Sequence, residues 1–115
     1  MFTPTVTTGY TQVLSGVRLK TLTYGQKTLF TEFLLAKDHV LPQHSHPHEQ
    51  TGYLVGGHIR LTIGAETFDV KPGDSWCIEG GVEHGAAILE DSVAIEVFSP
   101  VREDYLPMYE GNRKR

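Results

Sequence analysis

Apolar and polar residues alternate over short runs that Gly or Pro interrupts, a pattern typical of β-strands. In Ile59–Ile63 the apolar side chains fall on one face, and Arg60 and Thr62 fall on the other. No window of a dozen residues has a helical period; the best helical candidate is one turn near Glu103–Leu106, stopped by Pro107. The pattern predicts strands at Gln12–Leu14, Val17–Thr23, Thr28–Leu35, Tyr53–Val55, His58–Ile63, Glu66–Val70, Ser75–Ile78, His84–Ile88 and Val93–Phe98.

The turn signals join these strands at short intervals. Gly64-Ala65 is predicted to close a tight hairpin, and Lys71–Asp74 a turn in which Pro presets φ and Gly accepts the left-handed position. Many short strands with frequent turns indicate an all-β sandwich or barrel. A chain of 115 residues is long enough for one closed core, so we expect a single domain over residues 1–115.

Composition and charge narrow the class of partner and the location. A formal net charge of −4 gives no reason to expect nucleic acid or a membrane surface as a partner, and the basic tail 113–115 is too short to change that. We find no secretory signal at Met1–Val6 and no stretch as long as a membrane span. The single Cys77 suits a reducing compartment. The cytoplasm is therefore the expected location.

Histidines crowd into one short stretch of the chain. His44, His46 and His48 share parity with Gln50, and residues of equal parity point to one side of an extended segment. Neutral imidazole is the commonest protein ligand for divalent transition metals. His44 and His46 on one strand can offer two nitrogens to one point. The best candidates for the remaining ligands are Gln50 and the distant His84, so we expect one mononuclear metal site.

The neighbouring polar residues have simpler explanations. Pro47 cannot donate a ladder hydrogen bond, so the chain is expected to change direction after it. His48 could be a ligand by parity, but an exposed or supporting role fits it better. Glu49 has the opposite parity and is expected on the surface. The alternative for the whole cluster is a solvated polar loop. His39 and His58 are expected to be structural or exposed.

A second set of polar residues ends the last predicted strand. Glu96 and Phe98 share parity, and a carboxylate inside a β-barrel is costly unless it meets a cation or does chemistry. Arg102 lies just beyond Pro100, on a loop that can fold over the barrel mouth and bind a substrate carboxylate. The alternatives are an outward-facing Glu96 and a surface pair between Arg102 and an adjacent acid. Trp76 and Tyr53 could line the pocket, but core or dimer packing fits both better.

Both histidine segments resemble the two motifs of the cupin superfamily. The first motif is matched by His44, His46, Gln50 and Gly57, and the second by Gly73, Gly81 and His84. Three departures concern turns and strand ends: Asp38 replaces the usual Gly, Glu79 the usual Pro, and Ile88 a frequent Asn. The resemblance implies a double-stranded β-helix (jelly-roll) barrel that holds one divalent metal, usually in a homodimer.

The chain's ending is similar to the pectin-degradation cupins of the KdgF type, in which an acid, a Phe and an Arg are spaced like Glu96, Phe98 and Arg102. That resemblance implies binding of a small anionic sugar acid. It also implies conversion of 4,5-unsaturated monouronates to the linear 5-keto-4-deoxyuronate, with these three residues as the catalytic set. In the family the acid is usually Asp, and Glu96 is one methylene longer.

Two other functions stay open at this point: a metal-dependent dioxygenase and a non-catalytic metabolite-binding module. Gln50 stands where most cupins have Glu. A neutral amide leaves the full charge on the bound cation, which favours Lewis-acid chemistry over redox cycling. The metal itself is open among zinc, nickel, cobalt, copper, iron and manganese.

Overall fold

The computed structural model describes residues 1–106, and these form antiparallel strands and one short 3-10 helix. No helix among them is long and apolar enough to cross a membrane. The strands are β1 (Thr11–Leu14), β2 (Val17–Tyr24), β3 (Leu29–Leu35), β4 (Val40–His44), β5 (Glu49–Ile63), β6 (Glu66–Val70), β7 (Ser75–Ile78) and β8 (His84–Ser99), and the 3-10 helix is Glu103–Tyr105.

Two long strands organise the sheet. β5 and β8 pair along almost their whole length, from Glu49 opposite Ser99 to Ile63 opposite His84. Their register shifts between Leu54 and Ile59, so each strand bends there. On one side of the bend the order is β1-β2-β3-β8-β5-β7, and on the other it is β4-β8-β5-β6. The all-β architecture predicted from the sequence is thereby confirmed.

The bend explains why two pairs of predicted strands are continuous. Tyr53–Val55 and His58–Ile63 are parts of β5, and His84–Ile88 and Val93–Phe98 are parts of β8. Gly57 adopts φ 93°, and a Cβ there would lie 2.1 Å from Ser92 Oγ, so only glycine fits the crossing. The sequence pattern missed β4, because Pro42 interrupts the alternation in Val40–His44.

The alternation of buried and exposed side chains places the core between the two halves of the sheet. Val17 and Leu19 of β2 and Leu29 and Phe33 of β3 point inward, as does Phe98 of β8. Both predicted turns are present: residues 64–65 join β5 to β6, and the Asp74 N–H donates to the Lys71 carbonyl across the second turn. The predicted helical turn is the 3-10 helix; Pro107 and the basic tail lie outside the described residues.

A candidate metal centre at the end of a cavity

Three imidazoles converge at the open end of the barrel. His44 ends β4 and lies directly opposite His84, the first residue of β8. His46 follows on the loop between β4 and β5, so the expectation that His44 and His46 share one strand is wrong. The ring centroids of His44 and His46 lie 4.3 and 4.9 Å from that of His84. One ligand nitrogen from each ring lies within 4.8 Å of the others.

A close contact between two loops holds His46 in place. The Gly81 N–H donates a hydrogen bond of 2.8 Å to the His46 carbonyl. A Cβ on Gly80 would lie 2.3 Å from the Pro47 carbonyl oxygen, so a side chain at that position would push the loops apart. The glycine pair before His84 therefore brings the histidine-rich loop against the start of β8.

All three rings have the same tautomer. Each Nδ1 lies about hydrogen-bond distance from a backbone carbonyl, which can only accept, so Nδ1 carries the proton and Nε2 keeps its lone pair. Burial lowers the pKa of His84, and burial together with the Arg102 charge lowers that of His46, which favours neutral rings. The carbonyls are those of Pro42 for His44 (2.9 Å), His48 for His46 (3.0 Å) and Val82 for His84 (2.9 Å).

The free lone pairs fit a cation. The buried Nε2 of His84 has no hydrogen-bond partner among residues 1–106. His46 Nε2 faces Gln50 Oε1 at 3.0 Å, and both atoms are acceptors, so their lone pairs repel unless a positive charge lies near both. This donor set therefore suits a divalent transition metal.

Gln50 is buried on β5 and contacts both halves of the site. Its amide nitrogen donates a hydrogen bond of 2.7 Å to Glu96 Oε2. That bond fixes which end of the amide is oxygen, and it turns Oε1 toward His46. His48 lies outside the three-histidine cluster; its ring is 5.5 Å from that of His46, and its buried Nδ1 has no hydrogen-bond partner within residues 1–106.

Glu96 points into the barrel, as its parity with Phe98 predicts. One carboxylate oxygen accepts from Gln50, and the other accepts from the indole Nε1 of Trp76 at 3.0 Å. Burial raises the pKa of Glu96 to about 7, although both hydrogen bonds oppose the shift. A carboxyl group with this pKa can both give and take a proton near neutral pH.

Arg102 combines the two arrangements that the sequence left open. Its guanidinium donates to Asp104 at 3.0 Å, as a surface pair would. The same group lies 5.1 Å from the centre of the Phe98 ring and 4.0 Å from that of Tyr105, and only 15% of its side chain is exposed. Thr21 donates to the Tyr105 carbonyl, which fastens the 3-10 helix to β2. Arg102 is therefore held at the mouth of the barrel.

These groups line one cavity of about 480 Å³, whose remaining walls are mostly apolar. Tyr53 points outward, with 48% of its surface exposed. Trp76 packs against the core, as expected, and it lines the cavity as well. The sequence carries one hint of this position of Trp76. Gly52 is a glycine inside a strand, and such a glycine often marks the close approach of another group. The polar residues of the lining are His44, Gln50, Trp76, His84, Glu96, Arg102, Asp104 and Tyr105.

Comparison with known proteins agrees with this arrangement. The family model of the cupin domain matches residues 31–99. The pectin degradation protein KdgF of Dickeya dadantii (strain 3937) is 30% identical over 101 residues, which cover 86% of this chain and 92% of that protein.

Two solved structures have the same backbone arrangement. KdgF from Halomonas sp. superposes with a TM-score of 0.86 at 29% identity, covering 92% of this chain and 100% of that one. An RmlC-like cupin from Shewanella frigidimarina NCIMB 400 also reaches 0.86, at 25% identity, covering 91% and 95%.

Proposed function

Because the chain belongs to the cupin domain family, we propose that it is a metal-dependent enzyme that opens the ring of 4,5-unsaturated monouronates. The product is the linear 5-keto-4-deoxyuronate. One observation carries the proposal: a single amide, Gln50, faces the three-histidine cluster with its oxygen and holds the carboxylate of Glu96 with its nitrogen. The site thereby sets a metal-binding cluster beside a group that can transfer protons.

The substrate class follows from the cavity and from the relatives. Arg102 is the cation at the cavity mouth, and a planar guanidinium suits a carboxylate. The relative from Dickeya dadantii is named for pectin degradation, and pectin is built from uronic acids. A uronate presents one carboxylate to the arginine and several oxygens to the opposite end of the cavity.

His44, His46, His84 and Gln50 would hold the metal, and they offer it three neutral nitrogens and one neutral oxygen. A divalent ion there would supply Lewis-acid polarisation of the substrate oxygens. The ligand set brings no negative charge, so the site favours an anionic substrate over a change of oxidation state.

The reaction needs no oxidant and no water. The hydroxyl proton on C1 leaves as the aldehyde forms, the C1–O5 bond breaks, and one proton is delivered to C4 as the C5 enol becomes a ketone. One carboxyl group that first takes a proton and then gives it is sufficient, and Glu96 is the group placed to do so. Phe98 is buried and supports the Arg102 guanidinium at the cavity mouth, and Arg102 binds the carboxylate and sets which carbon faces Glu96.

Loss of the ultraviolet absorbance of the unsaturated uronate tests this function. We expect the metal-loaded wild type to consume the substrate, and Glu96→Ala to be slower by about 10²-fold or more. Glu90→Ala is the matched control, because Glu90 is an exposed residue of the same strand; it should match the wild type. No turnover by the wild type, or equal rates for wild type and Glu96→Ala, would reject the function.

The same preparations separate the two other functions. Oxygen uptake with ferrous iron or manganese and a phenolic substrate would indicate a dioxygenase. Thermal stabilisation by a uronate without turnover would indicate a binding module. The single domain over residues 1–115, the homodimer and the cytoplasmic location stay predictions.

A further inference from the structure

Three residues on adjacent strands form a line across the cavity wall. Gly52 of β5 lies opposite Trp76 of β7 on one side and opposite Glu96 of β8 on the other. The indole of Trp76 crosses the glycine and donates its Nε1–H to Glu96 Oε1 at 3.0 Å. A side chain on β7 thus reaches a carboxylate two strands away.

Gly52 makes this crossing possible. A Cβ at that position would lie 2.2 Å from Cε2 and 2.3 Å from Nε1 of the Trp76 indole, far inside contact distance. The backbone of Gly52 is outside the left-handed region, so glycine is needed here because a side chain would not fit, not because of the backbone conformation. Even alanine would force the indole away from Glu96.

The two donors hold the carboxylate from both sides. Gln50 donates to Oε2, and Trp76 donates to Oε1. With only one donor, the carboxylate can rotate about its last bond, and neither oxygen keeps a fixed direction. With both donors in place, the plane of the Glu96 carboxylate is fixed relative to the Gln50 amide, whose oxygen faces the histidines.

We propose that Trp76 is a positioning residue, which fixes the direction of the Glu96 carboxylate through its indole N–H, and that Gly52 is the recess that lets it do so. The kinetic part of this proposal rests on the proposed function. The contact itself does not, because the chain has a single tryptophan, and its indole signal can be read without turnover.

Kinetics test the catalytic consequence. Trp76→Phe keeps an apolar ring over Gly52 but removes the donor, and Gly52→Ala keeps the donor but displaces it. We expect each variant to lower kcat by about tenfold and to change KM by less than about twofold, because a hydrogen bond to a charged group is lost while the carboxylate-binding end is untouched. Gly56→Ala is the matched control on the same strand, since a Cβ there meets no atom within 4 Å.

Nuclear magnetic resonance tests the contact in the zinc-loaded protein. We expect one indole N–H cross-peak, shifted downfield and slow to exchange in the wild type. In Glu96→Ala and Gly52→Ala it should move upfield and exchange faster, while Glu90→Ala and Gly56→Ala leave it in place. An indole signal indifferent to Glu96→Ala would overturn the contact, and an unchanged kcat in Trp76→Phe would overturn the positioning role.

The two readouts separate this proposal from the proposed function. If the wild type leaves the uronate unchanged, the function fails, and the indole signal still decides whether Trp76 holds Glu96. If the wild type is active and Trp76→Phe is equally active, the positioning proposal fails alone.

Discussion

The Gln50 amide nitrogen donates a hydrogen bond of 2.7 Å to Glu96 Oε2, so the two ends of this amide have different partners. The nitrogen end orients the carboxylate, and the oxygen end faces the imidazole of His46 at 3.0 Å. A carboxylate at position 50 could serve the histidine cluster but could not donate to Glu96. The amide therefore matters for proton transfer as much as for metal binding.

The substitution Gln50→Glu is expected to keep the metal and lose activity. It places a second carboxylate at hydrogen-bond distance from Glu96, where two like charges cannot both be ionised at low cost. We expect kcat on the unsaturated uronate to fall by about tenfold or more. Metal content and kcat should be measured together, with Gln43→Glu as the control that adds the same charge at an exposed position. A fully active Gln50→Glu enzyme would show that the donor is unnecessary.

Substitutions at Arg102 and Asp104 should move KM in opposite directions. Arg102→Lys loses the planar fork that binds a carboxylate, so KM for the uronate is expected to rise by about tenfold with a smaller change in kcat. Asp104→Asn removes the carboxylate that now accepts from Arg102 at 3.0 Å and competes with the substrate, so KM should fall. Steady-state kinetics check both; a rise of KM in Asp104→Asn would mean that Asp104 supports Arg102 rather than competes for it.

Stability against acid should depend on Asp69. A hydrogen bond of 2.6 Å from His58 lowers the pKa of Asp69 below its ordinary value of 3.8. A depressed pKa contributes stability that is complete above the ordinary value and is lost as pH falls through the folded-state value. Thermal unfolding midpoints should therefore differ slightly between wild type and Asp69→Asn at neutral pH and converge once the pH has fallen below the folded-state pKa of Asp69. Glu66→Gln, an exposed acid of the same strand, should show no comparable difference.

Asp38 occupies a backbone position that suits glycine. Its φ is 68°, in the left-handed region, where a side chain costs energy that glycine avoids. Asp38→Gly is therefore expected to raise the free energy of unfolding by about 0.5–1 kcal/mol, measured by urea denaturation. Lys37→Gly, next to it and outside that region, should lower it by a similar amount. A destabilised Asp38→Gly protein would show that the Asp38 side chain has a stabilising contact.

The same residue shows what the family pattern can and cannot predict. The resemblance to the first cupin motif implies Gly at this position, and here Asp38 occupies it with a left-handed backbone. Alternation predicted most of the strands because their side chains divide between core and solvent. It missed β4, where Pro42 interrupts the pattern, and it split β5 and β8 at their bend.

Residue types and strand parity were enough to predict which side chains form the candidate site, but not all of the contacts between them. Parity related His44 to His46, the resemblance to the cupin motifs added support for His84, and the structure brings the three together. The contact of Trp76 with Glu96 was not predictable, because it depends on the register of three strands that are distant in sequence. Gly52 inside a strand was the available hint, and it becomes specific only when the opposite residue is known.

Metal content per chain tests the central claim most directly. Elemental analysis of the purified protein should find close to one divalent transition-metal ion per chain in the wild type and in His39→Ala and His58→Ala, whose rings lie outside the cluster. His44→Ala, His46→Ala and His84→Ala should each lose most of it while remaining folded by circular dichroism. If these three variants keep the wild-type metal content, or if the wild type binds no metal even when zinc, nickel or manganese is supplied, the site described here is not a metal centre.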